Sequence, residues 1–335
     1  MTTSRSWHLA ARPVGEPTLE DFALVASTLA DPGEGEVLIR NTALSVDPYM
    51  RGRMSAAKSY ADPYRVGEAM WGGAVGAVVA SRFDGIAVGD TVLHGLGWRE
   101  HSVVPGSQAQ VVDTSDVPDS AYLGVLGMPG LTAWVGLFEI AQLEAGETVF
   151  VSGAAGAVGS LVGQLAKLRG ATVIGSAGSP EKVRWLTGQL GFDAAFDYKV
   201  GPVAALLAAA APEGIDVYFD NVGGEHLEAA IGALKPFGRA AICGMISRYN
   251  DASPQPGPAN LPLLVAKRLR LQGFLVFDHA HHTPQFLAEV GPALADGRLQ
   301  ARETVVHGIE QMALAFLGLL RGDNTGKMVV RLSAP

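Results

Sequence analysis

The sequence predicts an α/β protein with one domain of short β-strands and a second, doubly wound domain built on a parallel sheet. Three observations predict this class. The first third of the chain contains short apolar runs separated by glycine, proline and aspartate turns. From about Gly124 onward, strand-like and helix-like segments alternate, as they do in a parallel sheet covered by helices on both faces. A glycine-rich turn joins one of these strands to the helix that follows it.

The β domain is predicted from segments rich in β-branched and aliphatic residues that are bounded by turn residues. In the first third these segments are residues 37–45, 73–81, 90–93 and 100–104. The C-terminal part of the chain is predicted to add a strand at 303–307, a helix at 310–320 and a strand at 327–332.

The doubly wound domain is predicted from alternating buried-strand runs and helical spacing. The predicted strands are residues 147–151, 171–175, 216–220 and 238–244, and the predicted helices are residues 131–140, 161–168, 181–190 and 225–234. Residues 253–262 contain four prolines and a glycine, so they are predicted to be a loop beyond a strand end.

Composition narrows the function classes. At 335 residues two domains are expected, since single cores stop growing near about 250–300 residues. A net charge of -8 argues against a non-specific nucleic-acid binder. Residues 1–13 lack the apolar stretch of a signal peptide, and no run reaches the roughly 18 apolar residues of a membrane span, so a cytoplasmic protein is expected.

The glycine turn at Gly153–Gly159 indicates a dinucleotide site. Gly156 would let the backbone approach a pyrophosphate, and Gly159 would let the helix pack closely on the strand. The helix N-terminus would supply amide donors and a partial positive charge. Ala154 stands where the first glycine of the pattern is usual. A tight strand–helix turn that binds no ligand is the alternative; the strand before, the helix after and the second strand favour the dinucleotide.

The end of the second strand favours NADP over NAD. An NAD-selective site normally places an acidic residue there to bond the ribose 2′-hydroxyl. Residues 175–179 instead read Gly-Ser-Ala-Gly-Ser, with no carboxylate before Glu181. The small hydroxyl residue Ser176 and the cation Lys182 suit a 2′-phosphate, although Lys182 alone would be read as a solvated helix lysine.

No metal site is predicted. The single cysteine, Cys243, excludes an intrachain disulfide and a four-cysteine zinc site, and it falls on a predicted strand of the nucleotide domain. The cluster Asp278–His282 is more typical of a solvated loop than of metal ligands. Serine hydrolase chemistry is not supported either, because the chain has no Gly-x-Ser-x-Gly elbow.

Taken together, the chain resembles the zinc-independent medium-chain dehydrogenase/reductases, and within them the alkenal/one reductase branch. That branch includes prostaglandin (leukotriene), plant double-bond and bacterial curcumin reductases. The motifs that carry the resemblance span nearly the whole chain in the family's order: residues 45–54, 127–134, 154–159, 177–182, 219–224, 243–250 and 322–327.

The resemblance implies a GroES-like domain, residues 1–124 completed by 303–335, and a Rossmann domain at 125–302. It implies NADPH as cofactor, reduction of the Cα=Cβ bond of α,β-unsaturated ketones or aldehydes, and a homodimer. Its cofactor contacts fall on Gly156, Ala157, Val158, Gly159, Lys182, Tyr198, Asn221, Cys243, Gly244, Ser247, Tyr249, Phe274, Leu275, Val276 and Asn324.

Two tyrosines, Tyr49 and Tyr249, match residues placed near the family's substrate. As hydride reaches the β-carbon, negative charge collects on the carbonyl oxygen, and a donor aimed at that oxygen contributes most. Tyr249 or the cofactor's ribose 2′-hydroxyl is the expected donor, while Tyr49 is expected to shape or polarise the pocket. Expected apolar walls of the pocket are Met50, Met54, Tyr60 and Trp71, which suit an apolar enone or alkenal.

Two other functions remain open from the sequence. Quinone reduction uses the same fold and the same cofactor. A non-catalytic protein that keeps NADPH without turnover is the second alternative, although the dense set of cofactor motifs weighs against it.

Overall fold

The computed structural model describes residues 2–332. The chain divides into two compact units, Met1–Gly124 with Glu303–Pro335, and Val125–Arg302. Over the described residues it forms fifteen strands and nine α-helices. The strands are β1 (Thr2–Leu9), β2 (Phe22–Leu29), β3 (Glu36–Ser45), β4 (Ala74–Ser81), β5 (Thr91–His94), β6 (His101–Pro105), β7 (Gln110–Val111), β8 (Thr148–Val151), β9 (Thr172–Ala177), β10 (Ala194–Asp197), β11 (Ile215–Asp220), β12 (Leu234–Ile242), β13 (Arg270–Gly273), β14 (Glu303–His307) and β15 (Lys327–Arg331). The helices are α1 (Tyr49–Arg53), α2 (Met128–Trp134), α3 (Ala157–Leu168), α4 (Pro180–Gly188), α5 (Val203–Ala210), α6 (Gly224–Ala233), α7 (Leu263–Lys267), α8 (Thr283–Ala295) and α9 (Met312–Arg321).

The first unit is built on a seven-stranded sheet in which strands from both ends of the chain pair. The order is β14-β15-β3-β4-β5-β7, with β6 also paired to β3. The C-terminal β15 runs antiparallel to β3, with Val329 opposite Ser45 and Arg331 opposite Ala43. A separate antiparallel pair, β1 and β2, completes the unit. The strands predicted for this unit all occur within one or two residues of their predicted bounds, whereas β1, β2 and β7 were not predicted.

Large aromatic residues fill the main core of the first unit. Trp98 is fully buried, stacks on Phe22 with ring centroids 6.1 Å apart and meets the edge of Phe316 at 5.7 Å. Met50 and Met54 lie in the same core with no exposed surface. Such burial of apolar surface is the main favourable term for holding α1 and α9 against the sheet.

The second unit contains a six-stranded sheet in the order β10-β9-β8-β11-β12-β13. All five pairings are parallel, so the carboxyl ends of the strands lie along one edge. In α/β sheets of this kind ligands bind beyond the carboxyl ends of the strands. Within residues 2–332, no helix has the length and hydrophobicity needed to cross a bilayer.

The predicted helix at 131–140 is correct only in part. The α-helix ends at Trp134 and continues as a π-helical turn, Val135–Ile140, in which Ala141 N donates to Gly136 O at 3.0 Å. The wider turn accommodates close packing, because a Cβ on Gly136 would lie 2.5 Å from the ring of Phe219. The sequence periodicity does not record this contact.

Candidate functional site

The predicted site residues fall in both units. Tyr49, Met50, Met54, Tyr60, Trp71 and Asn324 lie in the first unit, and the others lie in the second. The geometry of each group is described within its own unit.

The glycine turn follows β8 and leads into α3. Gly153 has a φ of +58°, a left-handed conformation that favours glycine, and Gly156 is the residue that precedes the first helical turn. The amide of Gly156 donates to Gly153 O at 3.0 Å, and the amide of Ala154 donates to Ser176 O at 2.9 Å. The turn is therefore tied to the end of β9, with the N-terminus of α3 at the carboxyl edge of the sheet.

The two predicted glycines of the turn have different surroundings. A Cβ on Gly159 would lie 2.5 Å from Gly153 O and 2.8 Å from Ala154 Cα, so the helix can approach the turn only without a side chain there. A Cβ on Gly156 would meet just one atom within 4 Å, Gly153 O at 3.3 Å. Gly159 thus serves packing, while Gly156 leaves backbone accessible to a ligand, as expected for a pyrophosphate cradle.

The residues predicted for the 2′-phosphate region come together at the ends of β9 and β10. The Tyr198 hydroxyl would lie 3.0 Å from a Cβ on Gly178. Ser179 caps α4 by accepting a hydrogen bond from Lys182 N at 3.3 Å, which fixes the first turn carrying Lys182. Ser176 is fully buried beneath this surface, and its hydroxyl has no partner. A cation and a phenol beside a strand end without a carboxylate fit a 2′-phosphate.

A buried carboxylate that was not among the predicted site residues, Asp220, organises the next strand end. Asp220 Oδ1 accepts hydrogen bonds from the hydroxyls of Tyr218 at 2.6 Å and Ser152 at 3.1 Å, and from the amides of Val222 at 2.9 Å and Gly223 at 2.8 Å. Burial nevertheless raises the pKa of Asp220. The network shapes the loop after β11 that carries Asn221.

Asn221 and the loop after β12 are fixed by the same network. Asn221 Nδ2 donates to Ser152 O at 2.8 Å, and the amides of Cys243 and Gly244 donate to Asp220 O at 2.9 and 3.0 Å. The Ser247 hydroxyl donates to the carbonyl oxygen of residue 222 at 2.6 Å. Burial raises the pKa of the Cys243 thiol to about 12, so it is protonated near neutral pH.

The Tyr249 hydroxyl lies close to the backbone of this loop. A Cβ on Gly244 would come within 3.1 Å of that hydroxyl and 3.7 Å of Asn221 O. The structure therefore brings the predicted donor beside Asn221 and Gly244. Gly244 also keeps the space around the phenol open.

The segment predicted for the nicotinamide side, Phe274, Leu275 and Val276, directly follows β13. Phe274 meets the edge of Phe219 with centroids 6.4 Å apart. Val276 is buried. In the first unit, Asn324 is buried and donates to Gly326 O at 2.7 Å.

The histidine cluster after this segment is compact. The rings of His281 and His282 lie 4.1 Å apart, and His282 Nε2 is 3.7 Å from a carboxylate oxygen of Glu139. Across residues 2–332, no group of three His, Cys, Asp or Glu side chains has the arrangement needed to hold a metal ion.

Tyr49 is the first residue of α1, and the segment just before it, residues 46–48, is held by a buried ion pair. Lys327 Nζ lies 2.9 Å from Asp47 Oδ1 and donates to Val46 O at 2.7 Å. Burial, and next the charge of Asp47, raise the pKa of Tyr49 well above its usual value. Tyr49 is therefore a neutral hydrogen-bonding group at physiological pH.

The residues predicted as pocket walls lie at different depths. Tyr49 and Tyr60 line a small, open surface recess of about 30 Å³. Trp71 is half-buried beside them, whereas Met50 and Met54 lie in the core behind. The two methionines can shape this recess only through the residues that cover them.

Known proteins match the chain over nearly all of its length. Models of the N-terminal domain of oxidoreductase and of zinc-binding dehydrogenase match residues 5–112 and 157–291. The chain is 44% identical to an NADPH-dependent curcumin reductase of Escherichia coli (strain K12), covering 98% of this chain and 97% of the relative. It is 46% identical to prostaglandin reductase 1 of Bos taurus, covering 99% and 100%. The chain belongs to the medium-chain dehydrogenase/reductases.

Solved structures agree with this assignment. CurA from Vibrio vulnificus, solved in complex with NADPH, is 44% identical and has a TM-score of 0.94, with 99% of this chain and 100% of that chain covered. A quinone oxidoreductase of Pseudomonas syringae, 24% identical with a TM-score of 0.77 over 98% of this chain and 99% of that chain, shares the fold. The relatives confirm the predicted alkenal reductase branch and the GroES-like plus Rossmann fold class.

Proposed function

We propose that this protein uses NADPH to reduce the Cα=Cβ bond of α,β-unsaturated ketones and aldehydes. One observation carries the proposal: three relatives that match at least 90% of the chain at 44–46% identity are a curcumin reductase, a prostaglandin reductase and a 2-alkenal reductase. The quinone oxidoreductase resembles it at 24% identity, which supports the shared fold alone.

When bound, NADPH supplies the hydride. The chain's own residues would hold it along the carboxyl edge of the second unit's sheet. The pyrophosphate would approach the backbone at Gly156 and be bound by the amides of Ala157, Val158 and Gly159, and Lys182 and Tyr198 would bind the 2′-phosphate. Asn221, the loop from Cys243 to Tyr249 and the segment Phe274–Val276 would position the nicotinamide, and Asn324 of the first unit stays a predicted contact. Ser176, being buried, would support the ribose region from beneath.

Tyr249 is the proposed donor to the substrate's carbonyl oxygen. A phenol is a weak acid with a usual pKa near 10, but it can hydrogen-bond an oxygen on which negative charge collects without giving up its proton. Tyr49, which stays neutral, is proposed to polarise or shape the substrate pocket. The aromatic rings of Tyr49 and Tyr60 in the recess, with Trp71 nearby, suit the apolar part of an enone or alkenal.

The decisive experiment measures oxidation of NADPH and NADH with an alkenal, an enone and a quinone, and identifies the products. The proposal predicts a saturated ketone or aldehyde, with one NADPH consumed per product. Tyr249→Phe is expected to lower kcat about 10²–10³-fold, as removal of one oxyanion donor does elsewhere. Tyr122→Phe is the matched control, since its hydroxyl only donates to Asp113 O. Full activity of Tyr249→Phe would remove Tyr249 from the donor role.

Cofactor choice has its own test. Lys182→Ala is expected to raise KM for NADPH and leave KM for NADH nearly unchanged, because only NADPH carries the 2′-phosphate. Lys235→Ala, which removes a surface ion pair with Asp216, is the control. Equal effects on both cofactors would contradict the assignment. Zinc independence, a homodimer and a cytoplasmic location stay predictions, to be tested by metal analysis, light scattering and fractionation.

A further inference from the structure

Arg53 is a buried cation that the protein leaves without a counter-ion. Its side chain lies in the first unit with 9% of its surface exposed, and its Nε and Nη1 atoms are buried with no hydrogen-bond partner. The other buried cations of this region are satisfied differently. Lys327 pairs with Asp47, and Arg51 donates to Gly15 O at 2.7 Å. No carboxylate of the described residues forms an ion pair with Arg53.

Aromatic rings hold the Arg53 guanidinium. Its central carbon lies 3.8 Å from the centre of the Trp71 ring and 4.7 Å from that of the Tyr49 ring. Tyr64 packs edge-on against Trp71 at 5.5 Å, and the guanidinium lowers the pKa of Tyr64 against the larger, opposite effect of burial. Cation–π contacts contribute about 0.5–2 kcal/mol each. Removing a cation from water costs several kcal/mol, so these contacts do not offset the burial.

The guanidinium borders an open recess. The recess is open to solvent, has a volume of about 30 Å³ and is lined by Tyr49, Gly52, Arg53, Tyr60 and Pro63, together with small residues of the loop at 55–61. None of its lining residues is acidic. A negatively charged ligand group in this recess would meet the Arg53 guanidinium and no carboxylate of the lining.

We propose that Arg53 binds a carboxylate carried by the substrate, so that enones with an acidic tail are preferred substrates. The inference rests on the proposed function, because Tyr49 of the same recess is a predicted substrate residue. A guanidinium with rings on its faces offers N–H donors only in its own plane, and a planar carboxylate accepts hydrogen bonds in such a plane. One carboxylate also balances the single charge of Arg53.

The test compares 9-oxodec-7-enoic acid with its methyl ester, two enones that differ only in the charge of the tail. Charge-assisted hydrogen bonds contribute about 1.5–3 kcal/mol. The wild-type protein is therefore expected to show a kcat/KM for the acid about 10–100-fold above that for the ester. Most of the difference should lie in KM, because the tail is bound equally in the ground and transition states.

Variants assign this preference to Arg53. Arg53→Met keeps an apolar chain between the rings and is expected to abolish the acid-to-ester ratio. Arg53→Lys keeps the charge without the planar donors and should retain part of the ratio. Arg65→Met, an exposed arginine of the same unit, is the control and should keep the full ratio.

The outcomes separate this proposal from the proposed function. A wild-type ratio near one, with both compounds reduced, overturns the carboxylate site and leaves enone reduction intact. An equal loss for acid and ester in Arg53→Met would also overturn it, because the arginine would then act on the reacting oxygen or on packing. Calorimetry with 9-oxodecanoic acid and its methyl ester tests binding without turnover, so the site is tested even if neither enone is reduced or Arg53→Met does not fold. Binding of the acid no tighter than of the ester refutes the site.

Discussion

Substitution of Lys327 by methionine is predicted to destabilise the first unit strongly. Lys327 and Asp47 are 4% and 7% exposed, and their charged atoms are 2.9 Å apart. At an effective dielectric constant of about 20 that separation gives roughly 6 kcal/mol of attraction, which offsets the desolvation of both ions. Lys327→Met removes the attraction and leaves the Asp47 carboxylate buried, with the Ser45 hydroxyl as its remaining side-chain donor. The expected loss in the free energy of unfolding is about 3–5 kcal/mol.

The assay is urea unfolding followed by tryptophan fluorescence, with hydrogen exchange over residues 45–54 to locate the loss. Arg82→Met is the matched control: its pair with Glu34 spans 3.4 Å, the side chains are 58% and 93% exposed, and the expected cost is about 0–1 kcal/mol. The double variant Asp47→Asn/Lys327→Met should recover much of the loss, because neither charge remains buried. If Lys327→Met lowers the free energy of unfolding no more than Arg82→Met does, the buried pair does not stabilise the segment before Tyr49, and the reasoning is refuted.

Three further predictions concern a glycine, two histidines and the cysteine. Gly159→Ala should cost about 1–3 kcal/mol in thermal unfolding and weaken NADPH binding, because the new methyl group meets backbone; Gly188→Ala, with open space around it, should not. Burial lowers the pKa of His226 to about 4 and that of His94 to about 3. Below pH 6.5 the unfolded chain therefore binds more protons than the folded protein does. As the pH is lowered from about 6.5 to 4, each histidine should reduce the free energy of unfolding by about 1.4 kcal/mol per pH unit. His226→Gln should flatten the slope of the urea midpoint against pH, and an unchanged slope would contradict the assignment. With a pKa raised to about 12, Cys243 should react with iodoacetamide at pH 8 about a thousandfold more slowly than an ordinary thiol, and at the ordinary rate in urea. Fast alkylation of the native protein would disprove this.

The secondary structure could be predicted wherever one element carries its own signal. Strand β3 is a largely apolar run with turn residues before and after it, and β8 runs directly into a glycine turn. Helix α5 was missed because its sequence is almost wholly alanine and leucine, so no polar face marks a helical period. Helix α8 was missed because prolines at its start and at position 292 are typical of loops. Strand β1 was not predicted because it has polar residues along most of its length, so that no apolar run marks it.

The site was likewise predictable only where neighbouring residues in the sequence carry the signal. The requirements of the glycine turn lie within seven consecutive residues, so sequence alone assigns different roles to Gly156 and Gly159. The Asp220 network was not predictable, because its donors come from two strands and a loop that only the parallel pairing brings together. Ser152 serves in that network as a hydrogen-bonding link to Tyr218 and Asn221.

Arg53 is a second residue whose role depends on contacts that the sequence does not show, and it bears on which enones the protein prefers. In the run Tyr49-Met50-Arg51-Gly52-Arg53 the two arginines look alike, and charged side chains on a short helix are ordinarily solvated. Folding buries both, but it gives Arg51 a carbonyl acceptor, whereas it places the Arg53 guanidinium over the rings of Tyr49 and Trp71 and leaves its Nε and Nη1 without an acceptor. An unpaired buried charge lowers stability unless a ligand of opposite charge completes it. The loss of stability caused by burying Arg53 is explained if a carboxylate of the substrate supplies the missing negative charge. Arg53, and not Tyr49 beside it, is therefore the residue expected to select among enones.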